Sequence, residues 1–320
     1  MDSRLQIFIE RSAAAWHVSS EQALELIRLS KQKSLRINPL KAKKTTLKDL
    51  RSYGIGVEQL RWCDDSYTVT KGYDNISSSQ PFVDGACILQ DAASFVPVLA
   101  LSPKPGEDIL DICAAPGGKT THIAAITKNK ASITANDTSR ARFFRMRDMF
   151  ERMNVKAETT LYDGRNLLRH FGDKRFDKIL LDAPCSGEAS IHPDIAKTYE
   201  QWSVAKIKRL SRLQEQLIVT AYDLLKPGGT LVYSTCTIAP EENEVVVNHL
   251  LKRRRALIEP VDIKIHDAKS GLTEWHGRQL NPELAKTYRL LPSVGHEAFY
   301  TAKITKPVHD IADDNMLMLA

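Results

Sequence analysis

Short apolar runs alternate with longer amphipathic segments along most of the chain after residue 90. The short runs are rich in Val, Ile and Leu and stop at turn residues, which is typical of buried strands. The longer segments carry apolar residues at helical spacing, so the alternation predicts βαβ units and an α/β fold around a mostly parallel sheet. The predicted strands are 108–112, 132–136, 157–161, 178–181 and 230–234, and the predicted helices are 119–126, 139–153, 203–225 and 242–253.

The two ends of the chain depart from this alternation. Near the C-terminus, the runs 261–265 and 298–304 predict an antiparallel pair of strands that closes one edge of the sheet. Residues 1–80 predict a small α+β region, and the polar stretch 74–80 indicates a linker. We therefore expect an N-terminal region at 1–80, an α/β domain at 81–306 and a disordered tail at 307–320. The elements predicted in the N-terminal region are helices at 5–16, 21–29 and 46–53 and strands at 34–38, 59–62 and 67–70.

Composition narrows the class of protein. The chain has 320 residues, of which 42% are hydrophobic and 26% are charged, as in ordinary soluble globular proteins. It has neither an apolar run long enough to span a bilayer nor a secretory signal, so a cytoplasmic protein is expected. Five cysteines without any Cys-x-x-Cys spacing predict reduced thiols, with neither a disulfide framework nor a metal site.

Positive charge is concentrated between residues 28 and 51. This stretch holds nine basic residues and one acid, Asp49, in a chain whose net charge is +6. The concentration favours a polyanionic partner, although a solvated helix face followed by a lysine-rich loop has the same composition. The nine are Arg28, Lys31, Lys33, Arg36, Lys41, Lys43, Lys44, Lys48 and Arg51, and further candidates for phosphate contacts are Arg140, Arg142, Arg145, Arg147, Lys206, Lys208, Arg209 and Arg212.

A glycine-rich turn joins the first predicted strand of the α/β domain to its first helix. From Asp111 to Thr120 the chain reads Asp-Ile-Cys-Ala-Ala-Pro-Gly-Gly-Lys-Thr. Such a turn lets a ligand approach the backbone amides at the start of a helix. The spacing matches neither the dinucleotide-binding G-x-G-x-x-G nor a P-loop, which leaves an adenosyl ligand without a pyrophosphate.

Acidic residues stand at the ends of the next three predicted strands, at Asp137, Asp163 and Asp182. Asp137 lies nineteen residues after Gly118, the separation at which a carboxylate accepts hydrogen bonds from a ribose diol. Asp163 is placed for the adenine amino group. Any one of these acids could instead cap the helix that follows it, but three in register with the glycine-rich turn favour a cofactor site.

Two of the cysteines end apolar runs in the same way. Cys185 follows the run 179–181 in Asp-Ala-Pro-Cys-Ser-Gly, and Cys236 follows the run 231–233 in Tyr-Ser-Thr-Cys-Thr. Because ligands gather at the carboxyl ends of the strands in an open α/β sheet, both thiols are expected at one crevice. A pair of thiols there indicates covalent catalysis.

These motifs, in this order, resemble those of the Nop/Sun (RsmB/RsmF-like) family of S-adenosylmethionine-dependent RNA cytosine-5 methyltransferases. The resemblance runs from about residue 34 to 303 and also includes Ser-Leu-Arg-Ile-Asn-Pro-Leu-Lys at 34–41, Gln-Asp-Ala-Ala-Ser at 90–94 and Pro-Glu-Glu-Asn-Glu at 240–244. It implies a Rossmann-like methyltransferase sheet with S-adenosylmethionine as the cofactor. It also implies RNA, ribosomal or transfer, as the partner of a monomeric enzyme that needs neither a metal nor a membrane.

The resemblance implies that Cys236 attacks carbon 6 of cytosine and that Cys185 assists release of the methylated base. Spacing alone does not decide which cysteine attacks. The attacking cysteine of DNA cytosine-5 enzymes follows a proline, as Cys185 does. Asp182 is the candidate acid for the Watson–Crick edge of the base, and Lys119 is expected to favour a thiolate. The expected cofactor-binding residues are Cys113, Ala114, Ala115, Pro116, Gly117, Gly118, Lys119, Asp137, Arg142, Asp163, Gly164, Asp182 and Pro184.

Residues around these motifs are candidates for the same crevice. Gln90, Asp91 and Ser94 either complete the methionine side of the cofactor pocket or cap a helix. His192 is a candidate for the rim through which a base enters after it leaves its stack. The acids of 241–244 are expected to lie in the first turn of the next helix, where the helix dipole favours negative charge.

Two other functions fit the same fold: a non-catalytic RNA-binding or ribosome-assembly protein, and a methyltransferase that acts on an exocyclic amine. The presence of both thiols and of Asp182 disfavours the first. The second normally has an aromatic residue where Cys185 stands. Release of tritium from carbon 5 of cytosine would occur only with the cytosine-5 enzyme.

Overall fold

The computed structural model describes residues 2–29 and 31–308, so most of the predicted tail at 307–320 lies outside the described residues. The helices are α1 Ser3–Trp16, α2 Ser20–Arg28, α3 Thr46–Ser52, α4 Gln80–Val83, α5 Val96–Leu101, α6 Gly118–Ile126, α7 Arg140–Met153, α8 Leu167–Phe171, α9 Val204–Asp223 and α10 Glu244–Arg253. The strands are β1 Ser34–Ile37, β2 Gly56–Gln59, β3 Ser66–Lys71, β4 Cys87–Leu89, β5 Asp108–Asp111, β6 Ser132–Asn136, β7 Glu158–Thr160, β8 Phe176–Asp182, β9 Leu225–Thr235, β10 Leu257–Glu259, β11 Ala268–Ser270, β12 Glu274–Trp275, β13 Arg278–Gln279, β14 Tyr288–Leu290 and β15 Phe299–Thr305.

The larger sheet has nine strands in the described part of the chain. Their order is β11-β14-β15-β9-β8-β5-β6-β7, and β10 pairs with β15. The strands β5 to β9 are parallel to their neighbours among themselves, and β10, β11, β14 and β15 form antiparallel pairs at one side. The predicted α/β class with a Rossmann-like sheet is confirmed. The strand order reverses between β5 and β8, which is where open α/β sheets form a ligand crevice.

The parallel strands are buried on both faces, which explains why they read as unbroken apolar runs. In β8, Ile179 and Leu181 pack into the cluster that contains Ile218 of α9, whereas Leu180 packs on the opposite face with Ile123 of α6. Each of these side chains is fully buried and stabilises the fold by roughly 1.5–3 kcal/mol. The packing holds the end of β8 firmly beside the end of β5.

The N-terminal region forms a second sheet with the order β2-β3-β1-β4. Its last strand, β4, pairs antiparallel with β1 and lies beyond residue 80, where the sequence predicts a boundary. The predicted linker 74–80 is folded, because the fully buried side chain of Ile76 anchors it in the core of this sheet. The small sheet therefore ends at residue 89, directly before the segment 90–94.

The C-terminal edge differs from the prediction. Residues 261–265 form no strand, and β10 pairs with β15 instead, with Ile258 opposite Ile304. Pro260 ends β10 because proline has no amide hydrogen to donate to a ladder. Apolar side chains of the irregular segment, such as Ile263, still pack against the cluster that contains Tyr288. The predicted strand at 59–62 also lies earlier, at Gly56–Gln59.

The hairpin of α1 and α2 packs on the α/β domain. The ring of Phe8 contacts that of Trp202 edge to face at 5.7 Å, and Arg11 pairs with Glu241 at 2.7 Å. Just after α2, the Nζ of Lys31 donates to the carbonyl of Ala189 at 2.6 Å. These contacts join the N-terminal helices to the loops that follow β8 and β9. Within residues 2–29 and 31–308, no helix is long and apolar enough to cross a membrane.

Candidate active site

A cavity of about 190 Å³ lies where the glycine-rich turn follows β5. A larger cavity of about 770 Å³ lies between the end of α1 and the antiparallel edge of the sheet, and it contains none of the predicted site residues. The smaller cavity is the better candidate because it stands at the reversal of strand order. The predicted residues that line it are Gln90, Ser94, Cys113, Ala114, Ala115, Pro116, Gly118, Lys119 and Asp182.

The two glycines of the turn stand where a side chain would be strained or tightly packed. Gly117 has a φ of +109°, and a Cβ atom there would lie 2.9 Å from Cε1 of Phe150. At Gly118 a Cβ atom would lie 3.3 Å from Nε2 of Gln90, so the backbone approaches the far wall of the cavity. The backbone conformation therefore requires glycine at Gly117, and the lack of a side chain at Gly118 leaves the start of α6 close to the cavity.

Two acceptor oxygens in this cavity are buried and have no hydrogen-bond partner among the described residues. They are Oδ1 of Asp111 and Oε1 of Gln90. The other oxygen of Asp111 accepts from the hydroxyl of Thr120 at 2.7 Å, and burial raises the pKa of Asp111 to about 7. An unsatisfied buried acceptor is costly, so the cavity suits a ligand that brings N–H donors. The ammonium group of a bound amino acid is such a donor.

Two of the predicted cofactor residues support the turn from behind instead of lining the cavity. Asp137 accepts hydrogen bonds from the amides of Ala115 at 3.2 Å and Ser139 at 2.8 Å. Arg142 donates to the carbonyl of Ala115, and its Nη1 lies 3.7 Å from Oδ2 of Asp137. Asp137 is not the cap of α7, whose N-cap residue is Ser139, and its carboxylate instead fixes the glycine-rich turn and the residue before the helix.

The residues after β7 and β8 are likewise outside the cavity lining. Both oxygens of Asp163 bind the guanidinium of Arg165, which lowers the pKa of Asp163. Gly164 is required by packing, because a Cβ atom there would lie 2.6 Å from Cδ2 of Leu217. Pro184, the predicted cofactor residue after β8, accepts a hydrogen bond through its carbonyl from Nε2 of Gln214 in α9.

The two thiols predicted at one crevice lie together. The Sγ atoms of Cys185 and Cys236 are 3.4 Å apart. The loops that carry them are joined by a hydrogen bond of 2.7 Å between the hydroxyls of Ser186 and Thr237. The amide of Ala189 also donates to the carbonyl of Cys236 at 3.1 Å. The relative position of the two sulfur atoms is therefore fixed by contacts on both sides.

The surroundings make the two thiols unequal. The hydrogen bond from Cys185 lowers the pKa of the Cys236 thiol, and the ammonium group of Lys119 lowers it further. That same hydrogen bond raises the pKa of Cys185, and burial and the negative charges of Glu242 and Asp182 add to the rise. Cys236 is thus the thiol that ionises more readily, and Cys185 is its hydrogen-bond donor.

Lys119 and Asp182 form an ion pair beside the thiols. The Nζ of Lys119 lies 2.6 Å from Oδ2 of Asp182, and Ser234 donates to Oδ1 of Asp182 at 2.8 Å. Burial disfavours the charge on Lys119, but the carboxylate of Asp182 outweighs this effect and the pKa of Lys119 is raised. The ammonium group also lies 5.4 Å from the centre of the Phe299 ring. Phe299 was not marked by a motif, and Ser234 lies within the Tyr-Ser-Thr-Cys-Thr motif but was given no role of its own.

The acids after β9 do not share one role, so the interpretation of 241–244 as charges in the first turn of a helix is wrong for two of them. Glu241 pairs with Arg11, and the fully buried Glu242 binds the loop of Cys185. Only Glu244 lies in the first turn of α10, where it forms a buried pair with Arg289. These contacts are made over long sequence separations, which a local pattern cannot reveal.

Glu188 is a buried acid that the sequence analysis missed. Its Oε2 accepts hydrogen bonds from the hydroxyl of Thr237 at 2.8 Å and from the amides of Ile238 at 3.0 Å and Ala239 at 2.8 Å. Its Oε1 accepts from the indole of Trp202 at 2.7 Å. Glu188 thereby fixes the loop after Cys236. No sequence signal distinguished this acid from one exposed in a loop.

The remaining candidates around the crevice divide between two positions. Gln90 and Ser94 line the cavity, whereas Asp91 caps the short helix that follows it, with Oδ1 2.9 Å from the amide of Ala93. His192 lies outside the cavity lining, and its Nδ1 accepts from a backbone amide. The capping alternative is confirmed for Asp91, and the cofactor alternative stays a prediction for Gln90 and Ser94, which line the cavity.

The basic stretch 28–51 is only partly exposed. Arg36 is fully buried, and its Nη2 donates to the hydroxyl of Thr121 at 2.7 Å, which ties the small sheet to α6. The ammonium of Lys31 binds a carbonyl, and burial lowers its pKa. Arg28 pairs at the surface with Asp194 at 3.1 Å. The exposed basic residues of the stretch are Arg28, Lys33, Lys41, Lys43, Lys44, Lys48 and Arg51. In the described ranges, no three His, Cys, Asp or Glu residues are grouped to hold a metal ion.

A Rossmann-like sheet with a glycine-rich turn after its first parallel strand and a cavity at the reversal of strand order is the arrangement of Rossmann-like cofactor-binding enzymes, methyltransferases among them. The family model described as 16S rRNA methyltransferase RsmB/F matches residues 98–305, and the chain belongs to this family. Its curated relatives carry names of tRNA and rRNA cytosine-C5 methyltransferases, so the chain is an enzyme of this type.

Three similar proteins show how much of this chain is shared with its relatives. A tRNA (cytosine(49)-C(5))-methyltransferase of Pyrococcus abyssi is 41% identical, with 86% of this chain and 88% of that protein covered. The 25S rRNA (cytosine-C(5))-methyltransferase nop2 of Schizosaccharomyces pombe is 35% identical over 88% of this chain, but this covers only 48% of its own length. A solved structure of a methyltransferase homologue from Pyrococcus horikoshii is 30% identical with a TM-score of 0.75, and it covers 96% of this chain and 99% of that one.

Proposed function

We propose that this enzyme methylates carbon 5 of a cytosine in RNA through a covalent adduct on Cys236, with S-adenosylmethionine as the methyl donor. The observation that carries the proposal is the placement of two thiols, 3.4 Å apart, beside the Lys119–Asp182 pair. Carbon 5 of cytosine is a weak nucleophile, and addition of a thiolate to carbon 6 turns the ring into an enamine that attacks readily. The more easily ionised thiol, Cys236, is the one assigned to this addition.

Each polar group near the thiols has a task in this reaction. Lys119 keeps Cys236 in the thiolate form before the base binds. Asp182, oriented by Lys119 and Ser234, hydrogen-bonds the Watson–Crick edge of the cytosine. After carbon 5 has taken the methyl group, Cys185 in its thiolate form removes the proton from carbon 5. The electron pair of that C–H bond reforms the double bond between carbons 5 and 6, and Cys236 leaves carbon 6 as a thiolate.

The cavity after β5 fits the methyl donor. S-adenosylmethionine, when bound, supplies an electrophilic methyl group on a sulfonium and ends in an amino-acid ammonium. The unpartnered oxygens of Asp111 and Gln90 are acceptors suited to that ammonium. The buried carboxylate of Asp137, close behind the turn, remains our candidate for the ribose hydroxyls, and Asp163 remains our candidate for the adenine amino group.

Transfer RNA is the substrate that the comparison favours. The relative whose printed name specifies a tRNA cytosine matches this chain over 88% of its own length, whereas the rRNA enzyme nop2 is covered over only 48%. We propose that the N-terminal region, residues 1–80, contacts phosphates through its exposed basic side chains. The residues proposed for these contacts are Lys33, Lys41, Lys43, Lys44, Lys48 and Arg51.

The test compares the wild-type enzyme with Cys236→Ala and Cys185→Ala variants. Each is incubated with unmodified tRNA transcripts, or with rRNA as a second substrate, and with methyl-labelled S-adenosylmethionine. We expect 5-methylcytosine in tRNA from the wild type, at position 49 first, and no product from Cys236→Ala. We expect Cys185→Ala to accumulate a protein–RNA adduct that survives a denaturing gel, because its release step is blocked.

Three results would change the proposal. Normal methylation by both variants would refute the covalent mechanism. An adduct that forms on Cys236→Ala but not on Cys185→Ala would exchange the roles of the two thiols. Label in rRNA alone would replace the substrate while leaving the chemistry intact.

A further inference from the structure

The first half of α9 extends beyond the carboxyl ends of the parallel strands. The middle of the helix is level with those ends, because Nε2 of Gln214 donates to the carbonyl of Pro184, just after β8, at 2.8 Å. Leu217 packs against Gly164, which follows β7. Since α9 connects β8 to its parallel neighbour β9, it runs antiparallel to both strands. Residues 204–213 therefore lie on the side of the sheet where the crevice with the two thiols opens.

This half of α9 carries positive charge without any acid. The Nζ of Lys206 lies 3.4 Å from the carbonyl of Ser186, the residue after Cys185. Further along the helix, Lys208, Arg209 and Arg212 are exposed and form no ion pair with a described residue. Like charges three or four residues apart destabilise a helix. The arrangement thus costs stability unless a negatively charged partner binds to it.

Two hollows flank the exposed ridge of α9, and both are lined by Arg212 and Gln216. One hollow, of about 490 Å³, has the half-buried Leu210 and Leu213 among its lining residues. The other, of about 510 Å³, lies between α9 and α10. The ridge and the two hollows are here named the α9 face, and its residues used below are Arg209, Leu210, Arg212, Leu213, Gln216 and Arg253.

Three arginines of the α9 face are free to bind an anion. Arg209, Arg212 and Arg253 are exposed, and their side chains have no partner in the part of the chain that the structure describes. A planar guanidinium matches the geometry of a phosphate, so these side chains suit a phosphodiester backbone. The other charged groups of the two hollows are already paired, as Arg165 with Asp163 at 2.6 Å, Arg254 with Asp223 at 2.7 Å and His249 with Glu215 at 3.5 Å.

We propose that the α9 face binds the backbone of the RNA strand whose cytosine occupies the crevice, through phosphate contacts to Arg209, Arg212 and Arg253. This inference rests on the proposed function, and it extends substrate binding from the N-terminal region to the α/β domain. Along the helix, the stretch from Arg209 to Val219 is about 15 Å long, which is enough for several phosphates. An acidic protein would also match the charge, but RNA is the polyanion that must lie beside the crevice during the reaction.

The experiment measures the dissociation constant of an unmodified tRNA transcript at KCl concentrations from about 0.05 to 0.5 M, without S-adenosylmethionine. The test variant combines Arg209→Gln, Arg212→Gln and Arg253→Gln, since glutamine keeps a high helix propensity. A second variant replaces the same three arginines with lysine and so keeps the charge. The matched control combines Lys104→Gln, Lys128→Gln and Lys130→Gln, which removes three exposed charges near the amino ends of β5 and β6, opposite the crevice.

Each lost phosphate contact should make the plot of log affinity against log salt less steep by about 0.7–0.9, so the glutamine variant should lose about 2–3 units of slope. A loss of two units weakens binding roughly fortyfold at 0.15 M KCl, if the two proteins bind equally at 1 M. The KM for tRNA should rise accordingly, while the KM for S-adenosylmethionine and the midpoint of unfolding stay at the wild-type values. The lysine variant and the control should keep the wild-type slope.

Three results would overturn the inference. An unchanged slope in the glutamine variant would do so and would favour an acidic protein as the occupant of the α9 face. An equal change of slope in the Lys104, Lys128 and Lys130 control would show that only net charge matters. Weaker binding with an unchanged slope and a raised KM for S-adenosylmethionine would indicate a structural role. If the slope changes as expected but the wild type forms neither 5-methylcytosine nor an adduct, the proposed function fails while RNA binding by the α9 face stands.

Discussion

The ion pair beside the thiols leads to a quantitative prediction for Lys119→Gln. Its ammonium group contributes to the lowered pKa of Cys236, and an opposite charge close to a thiol shifts its pKa by about 1–3 units. Removal of the charge should raise the pKa of Cys236 and move the acid side of the pH–rate profile upward by about 1–2 units. Asp182 adds to the effect, since its carboxylate is left without its cation and itself raises the pKa of Cys236.

The change in rate is smaller than the change in thiolate. A rise of one unit lowers the thiolate fraction near pH 7.5 about tenfold, but a more basic thiolate attacks about threefold faster when the Brønsted coefficient is about 0.45. The expected net loss is therefore about threefold for one unit and about tenfold for two. At pH 9.5 the variant should equal or exceed the wild type.

The assay follows adduct formation on a tRNA transcript that contains 5-fluorocytidine, at saturating S-adenosylmethionine. Fluorine cannot leave carbon 5 as a cation, so the protein stays attached and the adduct is counted on a denaturing gel. Lys119→Arg keeps the charge and should retain the wild-type profile, and the double variant Lys119→Gln with Asp182→Asn should show a smaller shift than Lys119→Gln alone. A Lys119→Gln profile with an unmoved acid limb would refute the electrostatic role of Lys119.

Three more predictions concern packing and redox chemistry. Arg289→Met should lower the free energy of unfolding by about 3–5 kcal/mol in urea titrations, because it leaves the carboxylate of Glu244 buried and unpaired. Gly164→Ala should cost about 1–3 kcal/mol in the same measurement, since its Cβ would lie 2.6 Å from Cδ2 of Leu217. Dilute hydrogen peroxide should oxidise the active-site thiol pair to a disulfide with release of water, which abolishes methyl transfer and lowers the protein mass by two hydrogens until dithiothreitol is added.

The two packing predictions have control variants, and the oxidation prediction has an outcome that would contradict it. Gly295→Ala is the control for Gly164→Ala, because the nearest side-chain atom to a Cβ there, Oγ of Ser293, lies at 3.8 Å and the backbone φ is outside the left-handed region. For the buried pair, the double variant Arg289→Met with Glu244→Leu should recover much of the lost stability, since no unpaired charge remains. For oxidation, an enzyme that keeps full activity and unchanged mass in peroxide would contradict the short distance between the thiols.

The parts of the fold that the sequence predicts are those set by local periodicity. The run 179–181 and the helical spacing of 203–225 recur in β8 and α9 almost unchanged. The pairing of β4 with β1 and of β10 with β15 was not predicted, because short strands acquire their partners through distant contacts. Pro260 is a local signal for the end of β10, but the prediction did not use it.

In the candidate site, too, local motifs were predicted correctly and long-range contacts were not. Strand ends and a glycine-rich turn predict that Cys185 and Cys236 meet at one crevice, and the two sulfur atoms do lie together. Glu188 escaped prediction, because an acid outside a motif looks like a surface residue until its donors are known. Glu242 lies in the Pro-Glu-Glu-Asn-Glu motif, but its contact with the loop of Cys185 was not predicted. Asp137 is an intermediate case, since its place at the end of β6 was predicted, whereas the contacts that the structure shows are to the protein itself and its cofactor role stays a prediction.

The strand β4 has a consequence for how the enzyme is made. Its residues Ile88 and Leu89, with Gln90, form a wall of the cofactor cavity whose opposite wall includes Asp182. On the ribosome, about 90 residues separate the synthesis of these two walls, which corresponds to roughly 5–20 s of elongation. The cavity is therefore complete only after β8 has emerged. A catalytic fragment cut at residue 98, where the family match begins, would lack this wall and should be tested for cofactor binding before it is used as a stand-alone enzyme.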